Sequence, residues 1–166
     1  MTLAALRNSA LALLLYLGAC SPVRPRVSLA PGASLKGYHV VVVRPVRDQT
    51  GAPFNLDVSD SLRQALIRRL ESHGLPVVDD SAVDPIDPAL VVASTLVDFR
   101  GMPSWLQVPQ RGTTACELHA ELSDYQTGKR LGSIAAADLG EEYTPLFMLV
   151  RCAHAMADAI DRQVKQ

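Results

Sequence analysis

Neither sign of charge is in excess in this 166-residue sequence. It holds 16 basic residues against 17 acidic ones, and its formal net charge at pH 7 is −1. A nucleic-acid-binding domain typically shows a basic patch or stripe, which this balance argues against. We therefore expect no nucleic-acid partner.

Recognisable catalytic motifs are also lacking. The sequence contains no Gly-x-Ser-x-Gly elbow, no phosphate loop, no Gly-x-Gly-x-x-Gly and no His-Glu-x-x-His. Its three cysteines, Cys20, Cys116 and Cys152, are spaced unlike the paired Cys-x-x-Cys knuckles of zinc sites. We expect no catalytic residue, no metal site, no cofactor and no small-molecule substrate.

The apolar run near the start is too short to span a membrane. Ala10 to Leu17 has about half of the roughly 20 residues that a spanning helix needs, and its length suits a signal peptide. It ends in Leu17-Gly18-Ala19-Cys20, which resembles the lipobox of bacterial lipoproteins. The resemblance implies cleavage before Cys20 and acylation of Cys20, which would anchor the chain in a membrane. Ser21, in place of the aspartate often used for inner-membrane retention, favours the outer membrane.

Composition divides the chain into three parts. Residues 1–19 are the predicted lipoprotein signal peptide. Residues 20–36, rich in Pro, Ser, Ala and Gly after the lipidated cysteine, are expected to form a flexible tether. Residues 37–166 are long enough for one globular domain, which we expect to lie in the periplasm.

Hydrophobic periodicity predicts the elements of this domain. A β-branched run from Tyr38 to Val46 predicts a buried strand, and an apolar stripe between an Asp57 N-cap and Gly74 predicts a helix. The remaining segments predict short or alternating strands over 75–80, 88–99, 114–126 and 130–139, and a closing helix that begins at Pro145. The expected core stripe of this helix is Leu146, Leu149, Val150, Ala153, Ala157, Ile160 and Val164. The order β-α-β-β-β-β-α predicts an α/β fold of the two-layer α+β type, with two helices on one face of a mixed sheet of about five strands.

The two remaining cysteines fall on predicted buried faces. Cys116 alternates with polar residues on a strand, and Cys152 borders the apolar stripe of the closing helix. Disulfides persist in the oxidising periplasm, so we expect a bridge between Cys116 and Cys152. Two buried free thiols are the alternative.

The segment from Gly101 to Thr113 is the predicted partner-binding loop. It is long for a connection without its own structure, and such loops are often functional. It carries the only tryptophan, a residue type enriched at binding hot spots. The predicted contact residues are Met102, Trp105, Leu106 and Val108. The alternative is that Trp105 folds back and covers the sheet.

Several stretches together resemble a known group of proteins. After Cys20, these are "VVVVRPVRDQTG", "VSDSLRQALIRRLESHGLPVV", "ALVVASTLVDF" and "LSDYQTGKRLGS". From about Tyr38 to Val164 the chain is similar to small bacterial lipoproteins of unassigned role that look like the TolB amino-terminal-type domain. The resemblance implies a two-layer fold and a non-catalytic accessory role that supports an envelope assembly or transport complex.

Two alternatives to the accessory role remain open. One is that of the lipoprotein that plugs the lipopolysaccharide-assembly barrel, whose element order is similar. Its usual Gly-Phe-x-Leu pattern after the lipidated cysteine is replaced here by Ser-Pro-Val. The more remote one is a peptidoglycan-acting enzyme, for which the sequence offers no nucleophile or metal-ligand set.

Overall fold

The computed structural model describes residues 23–51, 57–78, 88–100, 114–140 and 145–166. Within them, seven strands and two helices follow one another along the chain. In chain order they are β1 (Arg26–Leu29), β2 (Val40–Val43), β3 (Arg47–Asp48), α1 (Val58–Ser72), β4 (Val77–Val78), β5 (Ala89–Arg100), β6 (Thr114–Asp124), β7 (Arg130–Gly140) and α2 (Pro145–Lys165).

All seven strands belong to one open, mixed sheet. The order across it is β1-β7-β6-β5-β2-β4, and β3 pairs with β5 off this path. The pairs β1–β7, β7–β6 and β6–β5 are antiparallel, whereas β2 runs parallel to both β4 and β5. The predicted two-layer α+β fold is confirmed, with seven strands in place of about five because β1 and β3 were not predicted.

Helix α1 begins and ends at the residues that the sequence indicates. The Asp57 side chain accepts a hydrogen bond from the Asp60 backbone N–H at 2.9 Å, which caps the first turn. At the other end Gly74 has φ of +81°, and the Leu75 N–H donates to the Leu70 carbonyl at 3.1 Å. This is a Schellman cap, which requires a residue that tolerates the left-handed conformation.

Both helices pack on the same face of the sheet, as predicted. Helix α1 buries the expected stripe, which is Val58, Leu62, Ala65, Leu66 and Leu70. Helix α2 contacts α1, β6 and β7, so it is buried on more than one side. Its core residues include Met148, Leu149, Cys152, Ala153, Met156, Ala157, Ile160 and Val164. Leu146, expected in this stripe, is exposed.

The tether prediction is wrong for residues 26–36. Strand β1 pairs antiparallel with β7, from Arg26 opposite Ala135 to Leu29 opposite Gly132, and Leu35 is buried in the main core. The close approach depends on Gly132, where a Cβ would lie 2.5 Å from the Ser28 carbonyl oxygen. Composition indicates a tether because this segment is rich in turn-forming residues, but backbone pairing with β7 and the burial of Leu35 hold it on the domain.

A bulge in β5 decides which side of the sheet its last residues face. Opposite β6, Leu96 pairs with Leu118, but the next pair is Asp98 with Glu117, so Val97 is an extra residue. One extra residue moves the following side chains to the other face. Phe99 is therefore buried in the core, while Val97 is exposed.

Candidate functional site

The predicted lipidation and partner-binding residues lie outside the described residues. These are Cys20, Met102, Trp105, Leu106 and Val108. The described chain nevertheless fixes the two ends of the predicted loop. Arg100 ends β5 and pairs with Ala115 near the start of β6, so the described residues on either side of 101–113 lie at the same end of these strands.

Cys116 and Cys152 meet in the core as free thiols, so the predicted disulfide is wrong. Both are buried and both are unbridged. The Cys152 thiol donates to the backbone carbonyl oxygen of Cys116 at 3.5 Å. A hydrogen bond with Cys152 and burial raise the pKa of the Cys116 thiol far above its ordinary value. A thiol held in its protonated form is a poor nucleophile, so this pair acts as core packing.

Three large apolar side chains are exposed at the end of the sheet where β7 stops and α2 starts. Leu139 is 72% exposed, Leu146 52% and Phe147 48%. We call these three residues the apolar end. The predictions missed it: Leu146 was assigned to the core stripe, and Leu139 ends a strand whose small residues gave weak alternation. The sequence does place these three large apolar residues close to the four-residue connection 141–144, and this placement is the signal that could have indicated their exposure.

An arginine ties the apolar end to the body of the domain. The Arg151 Nε lies 2.9 Å from Asp138 Oδ2, and both side chains are largely buried. The same guanidinium lies 5.9 Å from the centre of the Phe147 ring, within reach of a cation–π contact. The last residues of β7 and the first turns of α2 are thereby held together, so the exposed side chains have a rigid support.

On the sheet face opposite the helices, β6 carries polar side chains and β7 carries small ones. We call this face the open face, and define it by Glu117, His119, Glu121, Ser133, Ala135 and Ala137. The predicted alternation of β6 is confirmed: Glu117, His119 and Glu121 point away from the core, with His119 Nε2 2.7 Å from Glu117 Oε1. Arg130 and Glu121 form an exposed ion pair at 3.0 Å. Neither described helix packs on this face.

Beside β6 the same side of the sheet has a small apolar cluster. Val42, Ala89 and Val91 are buried there, with Val40, Val78 and Tyr125 packed around them. The cluster covers β2, β4 and the start of β5, near the hairpin end of β6.

A polar cluster joins the two helices on the far side of the domain. Asp158 Oδ1 lies 2.7 Å from both Arg69 Nε and His73 Nε2. Burial opposes ionisation of Asp158, but the hydrogen bonds from Arg69 and His73 outweigh it and lower the pKa of this carboxyl. Burial, and then the nearby Arg69 charge, lower the pKa of His154. Asp158, Arg69 and His73 link the two helices, which is a structural role.

The described residues offer little for metal chemistry. Among residues 23–51, 57–78, 88–100, 114–140 and 145–166, no three His, Cys, Asp or Glu side chains are grouped so that they could hold a metal ion. In the same part of the chain, no helix combines the length and the hydropathy needed to cross a bilayer.

Comparisons with known proteins identify solved structures with a similar fold. No protein-family model matches this chain, and no curated protein matches it. Among solved structures, the PelC dodecamer from Paraburkholderia phytofirmans has a TM-score of 0.62 at 16% identity, over 87% of this chain and 99% of that one. Hypothetical protein CT253 from Chlamydia trachomatis has a TM-score of 0.55 at 13% identity, over 76% and 98%. Protein XCC0632 from Xanthomonas campestris has 0.51 at 14%, over 88% and 95%. At these identities the likeness concerns the fold alone.

Proposed function

We propose that this protein is a lipid-anchored, non-catalytic accessory protein of the outer membrane. Its domain lies in the periplasm and binds another envelope protein, which it supports in an assembly or transport complex. The anchor is Cys20, after the apolar run that ends in Leu17-Gly18-Ala19. The accessory role is proposed from the resemblance of the sequence to small bacterial lipoproteins.

The open face is the observation that carries the proposal. One side of the sheet is covered by α1 and α2, whereas Glu117, His119 and Glu121 project from the other side over a floor of Ser133, Ala135 and Ala137. Small side chains let a partner approach the strands closely, and the flanking charges give orientation and specificity. A rigid surface of this kind suits binding. Asp158 and Asp138, by contrast, are engaged in ion pairs that hold the fold together.

The fold neighbour PelC supports a further part of the proposal, that copies of this protein associate. Its solved structure is described as a dodecamer. We propose a homo-oligomer on the membrane, with the envelope partner bound to it. The molar mass of the detergent-solubilised protein by light scattering tests this part. A mass of one protomer at micromolar concentration contradicts it.

Crosslinking in intact cells tests the proposal directly. A photoreactive phenylalanine analogue placed at His119 or at Ala137 should give a discrete adduct with one envelope protein, identified by mass spectrometry. The matched control is the same analogue at Lys129, in the hairpin between β6 and β7. The absence of any protein adduct from 119 and 137, or the same adduct pattern from 129, contradicts an interface on the open face.

The predicted loop contact has its own variant. Trp105→Ala should abolish the adduct and leave the melting temperature nearly unchanged, because a partner anchor contributes to binding and not to the core. If Trp105 instead covers the sheet, the variant should lose about 3–5 kcal/mol of unfolding free energy, as large aromatic truncations in cores do. Thermal unfolding of the purified variant separates the two outcomes, and early melting contradicts the anchor.

A further inference from the structure

Strand β1 gives the direction from which the chain enters the domain. It is antiparallel to β7, with Arg26 opposite Ala135 and Leu29 opposite Gly132. Residues that precede Arg26 therefore run the same way as residues that follow Ala135, toward Gly140. Val23 still packs against the main core. The entering chain thus follows the domain toward the end of the sheet where Leu139 lies.

The distance from this point to the anchor is short. Cys20 precedes Val23 by three residues, and an extended chain covers roughly 3.5 Å per residue. The acyl attachment point is therefore within about 10 Å of Val23. The 17-residue tether expected from composition would have let the domain sit at any angle and distance. With Cys20 only three residues before Val23, an acylated Cys20 would keep the domain close to the bilayer.

The apolar end lies on the side of the domain to which this short segment leads. Leu139 ends β7, and Leu146 and Phe147 stand in the first turns of α2, which is joined to β7 through the Arg151–Asp138 pair. These are the most exposed large apolar side chains among the described residues. Exposed apolar groups on a folded domain mark an interaction site when they are clustered on rigid elements.

We propose that the apolar end inserts into the interfacial region of the same bilayer that holds the acyl chains of Cys20. This inference rests on the proposed lipid anchor and extends it by fixing the orientation of the domain. Leu139, Leu146 and Phe147 enter the boundary between headgroups and acyl chains. Arg24 and Arg26, exposed beside the anchor, lie at the level of anionic headgroups.

The proposal gives lipid only the end of the sheet and leaves the length of the open face to protein. Leu139 lies on the same side of β7 as Ala137, at the end of the open face, whereas Leu146 and Phe147 belong to α2, which covers the other side. A domain that stands on its apolar end presents the open face sideways, along the membrane surface. A partner embedded in or attached to the same membrane would meet it there.

Photo-crosslinking in proteoliposomes tests the orientation. The full-length acylated protein is purified with a benzophenone amino acid at 139, at 147 or at Lys129, the control position in the β6–β7 hairpin at the opposite end of these strands. Each protein is reconstituted into vesicles of phosphatidylethanolamine and phosphatidylglycerol that contain a radiolabelled phospholipid. Mass spectrometry of the amino-terminal peptide first establishes that Cys20 carries its acyl chains.

Positions 139 and 147 should each incorporate at least about five times more lipid label than position 129. Lipid label that is equal at all three positions, or protein adducts in place of lipid adducts at 139 and 147, overturns the orientation. In a protein whose acylation has been established, such a result leaves the proposed anchor intact. An amino-terminal peptide without acyl chains overturns the anchor and this inference together.

Discussion

Asp158 is the residue through which the two helices hold each other most directly. Its carboxylate binds Arg69 of α1 and His73, the residue that caps the end of α1, at 2.7 Å in each case. The side chains are partly buried, so solvent screens the pairing less than it screens an exposed ion pair. Their loss should therefore be measurable, whereas most surface pairs contribute little.

Asp158→Asn should lower the unfolding free energy at pH 7 by about 1 kcal/mol, because the amide removes the charge that both basic partners face. The folded-state pKa of Asp158 lies below the ordinary 3.8. Wild type therefore keeps this contribution above about pH 4 and loses it as pH falls through the depressed pKa. Urea unfolding at pH 7 and pH 3 measures the difference, which should shrink at pH 3.

Glu121→Gln is the matched control for this charge removal, because Glu121 and Arg130 form an exposed pair. It should change the unfolding free energy by a few tenths of a kcal/mol. The role assigned to Asp158 is contradicted if Glu121→Gln loses as much unfolding free energy at pH 7 as Asp158→Asn does. It is also contradicted if the difference between Asp158→Asn and wild type is the same at pH 7 and pH 3.

The thiols of Cys116 and Cys152 make a second prediction at this scale. Because both are buried and the pKa of Cys116 is raised, neither should react with an aromatic disulfide reagent at pH 8 in the native protein. In denaturant, the protein acylated at Cys20 should show two reactive thiols, and Cys152→Ala should show one. A count of zero in denatured wild type would mean a bridge and would contradict the structure.

At the scale of elements, Gly132 decides whether β1 can join the sheet. A Cβ at this position would lie 2.5 Å from Ser28 O and 2.9 Å from Leu29 Cα, both backbone atoms. Gly132→Ala should therefore detach β1 from β7 while the rest of the sheet stays folded. Hydrogen exchange should rise over residues 26–29, and trypsin should cut after Arg26 sooner.

The neighbouring substitution Ser133→Ala is the control. Ser133 lies on the open face, and its replacement by alanine adds no atom that could push against β1. It should leave both readouts at the wild-type level. If Gly132→Ala also leaves exchange at 26–29 unchanged, then β1 does not depend on this contact, and the short anchor segment loses its support.

The elements that sequence predicted well are those with strong local signals. Helix α1 has an aspartate cap, a five-residue stripe and a glycine stop, and its bounds agree with the structure. The alternation of β6 places Cys116 and Leu118 in the core as expected. Strand β1 is not predicted because it has only four residues and they show no hydrophobic alternation. Its position depends on Gly132 of β7, which has no side chain and leaves room for Ser28 and Leu29.

The candidate site was less predictable than the fold. Alternation showed that Glu117 and His119 face away from the core, but whether anything covers that face depends on where the helices pack. The bulge at Val97 changes the face of Phe99 through one unpaired residue, which no pattern of hydrophobicity marks. The exposure of Leu146 depends on where α2 starts relative to the edge of the sheet.

Three surfaces divide the roles proposed for this small domain. The helix layer closes the core, the open face is the proposed site for a protein partner, and the apolar end is the proposed contact with lipid. A partner reached sideways along the membrane and an oligomer of copies on that membrane are both compatible with this arrangement. All of these assignments depend on a chain that enters the domain from a lipidated cysteine.

Metabolic labelling with an alkyne fatty acid tests most directly whether Cys20 is lipidated. Wild type and Cys20→Ala are expressed side by side at matched levels, and the label on each purified protein is measured. Since the proposed acyl chains are attached at and through Cys20, wild type should be labelled and Cys20→Ala should fall to background. Equal label on both proteins, or none on wild type, would contradict the lipid anchor.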